Sequence, residues 1–241
     1  MKKIAVIPAR YDASRFPGKL MKPLAGQSVI RRVYENTLNT GLFDDVFVVT
    51  DSAIIFNEIT AHGGRAIYSV KEHECGSDRI AEAVEPIDAD VIINVQGDSP
   101  FVKKEDLARL LNVFEDETVQ VASLMHILDK AFVDNPSFVK VIVDNNNNSL
   151  YFSRSPIPYP RSEDNLTYYK HIGVYAFRKA TLLNFTQWEQ TPLELAEKIE
   201  CIRYLEHGIP LKMVLTENVT IEIDTPEDLE SAEQFILQNQ H

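Results

Sequence analysis

Short apolar segments alternate along this chain with segments in which apolar residues recur at helical spacing. In the first half, β-branched or continuous apolar runs predict strands, and the periodic segments predict helices. The predicted strands here are residues 3–8, 46–50, 65–69 and 91–95, and the predicted helices are 29–38, 54–62, 78–84 and 104–114. This alternation is typical of βαβ units. It predicts an α/β fold with a doubly wound, mostly parallel sheet.

The second half of the chain is less regular. Its predicted strands are 119–126, 139–143, 169–177 and 211–215, and its predicted helices are 193–207 and 226–238. The last helix has Thr225 as its predicted N-cap and Pro226 at its first position. Three prolines exclude a helix or a central strand over residues 155–160. Since no repeat or linker forces a division, we predict a single domain over residues 1–241 with an insertion in its later half.

Charge is distributed unevenly in a chain whose formal net charge is −12. Residues 1–32 sum to +7, whereas the remaining 209 residues sum to −19. An acidic body argues against binding of nucleic acid or an anionic membrane through the overall field of the protein. A basic cluster within that body instead indicates a small anionic ligand near the N-terminus.

Apolar runs and cysteines limit the cellular context that we expect. No apolar run approaches the ~18 residues of a membrane span. The apolar stretch before Pro8 is too short for a signal peptide and is interpreted as the first strand. Cys75 and Cys201 lack the spacing of a zinc site or disulfide framework, which favours a reducing, cytoplasmic environment.

The first predicted strand ends in a basic loop that contains Arg10, Arg15, Pro17-Gly18 and Lys19. Loops at strand ends of α/β sheets are where such folds bind phosphates. The loop has neither the P-loop spacing nor the dinucleotide-binding fingerprint, so side-chain cations would contribute to phosphate binding. The alternative is a solvated basic turn.

Two aspartates follow predicted strands. Asp98 comes just after the apolar run 91–95, and Asp224 precedes the last helix. Next to phosphates, such hard oxygen ligands suit Mg²⁺, and the pair fits metal-assisted phosphoryl or nucleotidyl transfer. Alternatively, Asp98 caps a turn and Asp224 belongs to an acidic helix N-terminus.

Other candidate residues have weaker signals. The Gly76-Ser77-Asp78-Arg79 turn could offer backbone donors to a base or phosphate, or could be an ordinary helix cap. Arg154 could bind a carboxylate through two parallel hydrogen bonds, or it could pair with a surface acid. His171 lies among tyrosines that suit a sugar, although a lone histidine is more often structural. Glu200 belongs to a run of charges at helical spacing that is usually a solvated face.

Six motifs occur in order and span essentially the whole chain. They are Pro8-Ala9-Arg10-Tyr11 through Ser14-Arg15-Phe16-Pro17-Gly18-Lys19, His73 with Gly76-Ser77-Asp78-Arg79, Asn94-Val95-Gln96-Gly97-Asp98, Tyr151-Phe152-Ser153-Arg154, Lys170-His171-Ile172-Gly173-Val174-Tyr175 and Asp224-Thr225-Pro226-Glu227-Asp228. Together these motifs resemble the 3-deoxy-manno-octulosonate cytidylyltransferase (CMP-Kdo synthetase) family.

The resemblance implies a nucleotidyltransferase fold, similar to nucleotide-diphospho-sugar transferases. It implies a Mg²⁺-dependent reaction in which CTP and Kdo give CMP-Kdo, a lipopolysaccharide precursor, and pyrophosphate. The resemblance implies that Arg10, Arg15 and Lys19 bind the triphosphate and that Gly76, Ser77 and Gln96 bind the rest of the nucleotide. It implies catalytic roles for Lys19, Arg10 and Asp98, and Mg²⁺ binding by Asp98 and Asp224. The implied sugar-binding residues are Arg154, His171, Tyr175 and Glu200. The family is typically homodimeric, through an inserted segment that here corresponds to about residues 152–169.

Three positions depart from the family pattern. Cys75 replaces the usual Ser, Ser99 replaces a Glu after the Gly-Asp pair, and Cys201 replaces a Gln beside the sugar. Cys201 offers a weak donor where an amide would both donate and accept. The alternatives are therefore a cytidylyltransferase for a related acidic sugar, such as an amino-substituted Kdo, and a catalytically silent nucleotide-binding homologue.

Overall fold

The computed structural model describes residues 1–12, 16–71, 73, 76–162, 166–218 and 221–238 of the 241 residues. The chain divides into two compact units, Met1–Leu107 with Thr220–His241, and Ala108–Val219. The earlier elements are β1 (Lys3–Ala9), β2 (Pro23–Leu24), β3 (Gln27–Ser28), α1 (Val29–Asn39), β4 (Asp45–Thr50), α2 (Ala53–Ala61), β5 (Ala66–Tyr68), α3 (Gly76–Val84), β6 (Val91–Asn94) and α4 (Lys104–Asn112). The later ones are β7 (Val121–Leu128), β8 (Lys140–Val143), β9 (Ser149–Ser153), β10 (Tyr168–Arg178), α5 (Lys179–Phe185), α6 (Pro192–Glu197), α7 (Ile202–Glu206), β11 (Leu211–Leu215) and α8 (Pro226–Gln238).

The first unit has a parallel sheet with strand order β6-β1-β4-β5. The apolar runs of β1 and β6 are fully buried, with Ile4–Ile7 and Val91–Ile93 at 0% exposure. Strands buried on both faces are continuous apolar runs, as the sequence predicted. Each buried Ile or Val side chain of these runs contributes roughly 1.5–3 kcal/mol of burial free energy. The carboxyl ends of β1 and β6 lie side by side, where open parallel sheets bind ligands.

The second unit has a mixed sheet. β7 pairs antiparallel with β10 and parallel with β11, while β8 pairs antiparallel with both β10 and β9. The α/β class is confirmed, and the parallel pairing is concentrated in the first unit. Residues 155–160 form neither helix nor strand, as their prolines predicted, and Tyr159 in this segment is 85% exposed.

The predicted helix over residues 193–207 is wrong as a single element. The chain forms α6 and α7 instead, because Lys198 adopts a left-handed conformation with φ 54° and its N–H caps the carbonyl of Glu194. The sequence analysis also missed α5, which directly follows β10. No helix in the described ranges combines the length and apolar content that crossing a membrane would require.

Candidate active site

The basic loop after β1 folds back so that Lys19 lies beside the strand ends. Gly18 has φ +67°, a left-handed conformation that favours glycine, and its N–H donates to the carbonyl of Tyr11 at 3.1 Å. Lys19 then begins a 3₁₀ turn, Lys19–Met21. Arg15, a predicted triphosphate ligand, lies outside the described residues.

Asp98 and Asp224 approach the same place from opposite ends of the sequence. Gly97 passes so close to β1 that an added Cβ would lie 3.0 Å from the carbonyl oxygen of Pro8. The N–H of Ile223 donates to the carbonyl of Asp98 at 2.9 Å, which holds the segment before α8 against the turn after β6. These two close approaches place both carboxylates beside the basic loop.

Lys19 links the two carboxylates. Its Nζ donates to Asp98 Oδ2 at 2.6 Å and to Asp224 Oδ1 at 2.9 Å. Partial burial disfavours the charged amine, but attraction and hydrogen bonds to both carboxylates outweigh that effect, so the pKa of Lys19 is raised above its ordinary value. The ammonium is therefore firmly protonated and shared between two acids.

The start of α8 fixes the backbone of Asp224. Asp228 Oδ2 accepts hydrogen bonds from the N–H groups of Asp224 and Thr225, at 3.0 and 2.8 Å. In return, Thr225 Oγ1 accepts from the N–H of Asp228 at 3.2 Å, which confirms the predicted N-cap. Asp228 therefore holds the backbone from which the side chain of Asp224 reaches Lys19.

A crevice of about 250 Å³ opens beside Lys19 and Asp98. A water molecule occupies ~30 Å³ of liquid volume, so the crevice has room for a ligand much larger than a lone ion. It brings together five residues that sequence reasoning selected, Arg10, Lys19, Gly76, Gln96 and Asp98. It is also lined by five that sequence reasoning did not assign to ligand binding, Pro8, Asp12, Leu20, Arg79 and Gly97.

Arg79 is the least expected of these lining residues. It is 2% exposed, and its Nη2 donates to Asp51 Oδ2 at 2.6 Å, which ties α3 to the end of β4. Its Nε and Nη1 are buried and have no hydrogen-bond partner within the described part of the chain. Ser77, two residues earlier at the start of α3, is also buried, at 1% exposure. Arg79 was quoted in a motif, but nothing in its spacing identified its partner.

The donor set suits a divalent cation. Asp98 and Asp224 present hard carboxylate oxygens to a single point, the position of the Lys19 ammonium. No group of three or more possible metal ligands occurs among the described residues. Mg²⁺ often takes one or two carboxylates and completes its shell with waters and substrate phosphates. The pair therefore fits Mg²⁺ bound together with a nucleotide, rather than a metal held by protein ligands alone.

The four predicted sugar-site residues belong to the second unit. His171 is 8% exposed, and its Nε2 lies 3.0 Å from Ser123 Oγ. Ser123 also reaches the carbonyls of Ile172 and Val174, at 3.0 and 2.9 Å. Because a hydroxyl has one proton, this network favours a histidine that donates from Nε2 and keeps Nδ1 as an acceptor.

Burial keeps His171 neutral. Loss of solvent, reinforced by the charge of Lys170, lowers the pKa of His171 to about 3. The ring packs between Phe152 and Tyr175, with centroids 5.0 and 5.3 Å away. At neutral pH His171 is consequently a hydrogen-bonding group and not a cation.

Arg154 and Glu200 lie near the α6–α7 junction. The guanidinium of Arg154 donates to the carbonyls of Glu197, Pro136 and Lys198, at 2.8, 3.0 and 3.3 Å. In this structure the guanidinium is thus held by backbone carbonyls. Glu200 lies in the turn between the two short helices, where its carbonyl accepts from the N–H of Arg203 at 3.1 Å.

Two of the three departures from the family pattern lie within the described residues. Cys201 is fully buried, and burial, together with the charge of Glu200, raises the pKa of its thiol. The thiol is thus a neutral neighbour of Tyr175. Ser99 is 3% exposed, and its N–H donates to the carbonyl of Gln96 at 3.1 Å, which closes the turn that carries Asp98. Cys75 lies outside the described residues.

Comparison with known proteins defines the class of this protein. The sequence model of the Cytidylyltransferase family matches residues 4–240, so the chain belongs to the cytidylyltransferases. A solved structure of CMP:2-keto-3-deoxy-manno-octonic acid synthetase complexed with CTP superposes with a TM-score of 0.95 at 38% identity, covering 99% of each chain. Its fold has the mostly parallel central sheet that the sequence predicted for this chain.

Curated relatives narrow the assignment. The 3-deoxy-manno-octulosonate cytidylyltransferase of Christiangramia forsetii is 57% identical over 97% of this chain and 96% of its own length. The enzyme of the same name from Flavobacterium johnsoniae is 54% identical over 98% of this chain and 99% of its own. The chain belongs to the 3-deoxy-manno-octulosonate cytidylyltransferase family.

Proposed function

We propose that this protein transfers the CMP group of CTP to the anomeric hydroxyl of 3-deoxy-manno-octulosonate (Kdo), forming CMP-Kdo and pyrophosphate. The observation that carries the proposal is the convergence of Asp98 and Asp224 on Lys19. Lys19 and Asp98 line a crevice together with Arg10 and Gln96. Family membership and the CTP-bound structural relative support the choice of nucleotide and sugar.

Cations of the basic loop bind the triphosphate in this proposal. Arg10, Arg15 and Lys19 offset its negative charge, while Gly76, Ser77 and Gln96 contact the nucleoside. Arg10 donates from Nη2 to the carbonyl of His73 at 3.1 Å, which fixes its guanidinium beside the crevice. Positioning and charge neutralisation supply most of the rate enhancement in such transfers.

Asp98 and Asp224 hold Mg²⁺ in this proposal. When bound, the metal acts as a Lewis acid that offsets charge on phosphate oxygens.

The chemistry itself is one displacement at phosphorus. The anomeric oxygen of the sugar forms a bond to the α-phosphorus and its proton passes to water. The bond between the α-phosphorus and the oxygen that bridges to the β-phosphorus breaks, and pyrophosphate leaves with that oxygen. Arg10 and Lys19 stabilise the charge that accumulates on the departing pyrophosphate, and no side chain forms a covalent intermediate.

Arg154, His171, Tyr175 and Glu200 bind the sugar in this proposal. A neutral His171 with a free Nδ1 acceptor suits a sugar hydroxyl better than a carboxylate. The charge of the sugar carboxylate therefore requires a partner other than His171, such as Arg154 or a metal ion. Arg154 would have to release at least one carbonyl to take that role.

We further infer a cytoplasmic homodimer that serves lipopolysaccharide precursor synthesis. The dimer contact is expected within about residues 152–169, where three prolines form an extended segment and Tyr159 is 85% exposed. A large aromatic side chain with that exposure is typical of an interface anchor. A cytoplasmic location agrees with the use of CTP as a substrate.

An acceptor screen tests this proposal. Purified protein is incubated with Mg²⁺, with CTP or UTP, and with Kdo, an amino-substituted Kdo, a sialic acid or no sugar, and pyrophosphate release is measured. Release with CTP and Kdo, and not with UTP or without sugar, is expected. A clear preference for the amino-substituted sugar would move the substrate assignment to that sugar. Binding of CTP without release for any acceptor would contradict the transferase assignment.

A further inference from the structure

The position of Lys19 between Asp98 and Asp224 carries an additional inference. Its ammonium lies within hydrogen-bond distance of one carboxylate oxygen from Asp98 and one from Asp224, at 2.6 and 2.9 Å. The Lys19 side chain is 13% exposed, and those of the aspartates are 25% and 32% exposed. The three charges are thus partly removed from water, where their interactions are stronger than at an open surface.

Two carboxylates that point at one place repel each other unless a cation lies between them. Lys19 is that cation in this structure. The place is also where the donor set suits Mg²⁺, and an ammonium and a divalent cation cannot occupy it together. The metal must therefore displace Lys19 from the two aspartates.

Lys19 is suited to such a displacement. Lysine carries a compact charge on a flexible four-carbon stem, so its ammonium can leave one set of oxygens for another. Arg79 offers a contrast within the same crevice, because its planar guanidinium is held by Asp51 at 2.6 Å and is 2% exposed. Compared with Arg79, Lys19 is therefore the cation better able to move away from its carboxylate partners.

The exchange would also change the positive charge that the crevice offers to a triphosphate. While Lys19 is paired with two aspartates, its charge is already neutralised and attracts a triphosphate weakly. Once a divalent cation binds the aspartates, the ammonium becomes available to phosphate oxygens. Metal binding then makes the crevice more positive by the charge of the metal and also frees the charge of Lys19.

We propose that Lys19 is the resident counter-ion of Asp98 and Asp224 and exchanges with the divalent cation, so that metal binding releases Lys19 to the triphosphate. The inference rests on the proposed function, since it takes the two aspartates as the metal ligands. It makes Lys19 a competitor of the metal in the absence of nucleotide and a partner of the metal in its presence.

Metal binding without nucleotide tests the exchange. Mn²⁺ is titrated into the wild type, Lys19→Met and Lys22→Met, and free Mn²⁺ is measured by electron paramagnetic resonance. Lys19→Met keeps a chain of similar length without the charge, and it is expected to bind Mn²⁺ about tenfold more tightly than the wild type. Lys22→Met removes a nearby exposed charge and is expected to match the wild type. Equal affinities for Lys19→Met and the wild type, or no detectable binding by Lys19→Met, would overturn the inference.

A second measurement needs only the wild type. Lysines are labelled briefly with an amine-reactive reagent, with and without Mg²⁺ and always without CTP, and the labelling of each peptide is read by mass spectrometry. Release by Mg²⁺ is expected to increase labelling of Lys19 several-fold and to leave Lys22 unchanged. Unchanged or decreased labelling of Lys19 would contradict the exchange.

The two proposals can fail separately. Pyrophosphate release from CTP and Kdo is measured on the same preparation of wild-type protein. Normal release with no effect of Mg²⁺ on Lys19 would leave the transferase assignment intact and remove the exchange. Absence of release together with tighter Mn²⁺ binding by Lys19→Met would leave the exchange intact and remove the transferase assignment.

Discussion

Asp98 is the residue on which the proposed chemistry depends most, because it contacts Lys19 and is a proposed metal ligand. We predict that Asp98→Asn lowers kcat at least about 100-fold, since the amide keeps the shape and removes the charge that binds a cation. The measurement is steady-state pyrophosphate release, with urea unfolding to check the fold. Asp88→Asn is the control, because the Asp88 side chain is 97% exposed and its removal should leave kcat unchanged. Near-normal turnover by Asp98→Asn would remove Asp98 from the metal site.

A second prediction for a single residue concerns how His171 makes the stability of the folded protein depend on pH. Its pKa falls from an ordinary 6.5 to about 3 in the folded protein, so the unfolded chain binds a proton that the folded chain does not bind between these values. The folded state is therefore expected to lose about 1.4 kcal/mol of stability from this group for each pH unit below 6.5. Above 6.5 the group has no such effect.

Urea unfolding at pH 7 and pH 5 checks this expectation. The wild type should lose more stability on acidification than His171→Gln, which has no imidazole to protonate. His62→Gln is the control, because the His62 side chain is 40% exposed. The same acid sensitivity in His171→Gln and the wild type would show that His171 is not the buried neutral group described above.

At the scale of elements, one buried ion pair connects the two short helices α6 and α7. Arg203 Nε and Nη2 donate to the two carboxylate oxygens of Glu194 at 2.7 and 2.6 Å, and both side chains are almost fully buried. We predict that Arg203→Met costs about 3–5 kcal/mol of unfolding free energy, because it leaves a buried carboxylate without its cation. Arg31→Met breaks the half-buried i,i+4 pair with Glu35 and should cost only about 0.5 kcal/mol. Similar costs for the two variants in urea unfolding would contradict the prediction.

Local sequence patterns predicted some elements closely but missed the break between α6 and α7. β6 and α8 were predicted closely, because a continuous apolar run and a Thr-Pro start are local signals. The break at Lys198 was missed, since a left-handed lysine has no signature in sequence and the helical spacing continues across it.

The site shows a similar limit. Lys19, Asp98 and Asp224 were selected individually, but their hydrogen bonds join positions 79 and 205 residues apart, and no local pattern encodes such contacts. The ion pair of Arg79 could not be predicted for the same reason, because its partner Asp51 lies outside the helix that contains Arg79.

For the whole molecule, the expected assembly is a dimer. We predict that light scattering after size exclusion gives twice the chain mass of 27.4 kDa. Tyr159→Ser should shift the protein toward the monomer, since a large exposed aromatic side chain in residues 152–169 is lost. Leu237→Ser is the control, because Leu237 is 63% exposed on α8, outside that segment. A monomeric wild type, or equal effects of the two variants, would contradict the proposed interface.

The central claim is transfer of CMP from CTP to Kdo, and the most direct measurement is the mass spectrum of the products. Wild-type protein with CTP, Kdo and Mg²⁺ is expected to form CMP-Kdo and pyrophosphate in equal amounts, whereas Asp98→Asn forms neither at a comparable rate. Consumption of CTP without a CMP–sugar adduct, or no consumption by folded protein that binds CTP, would contradict the account.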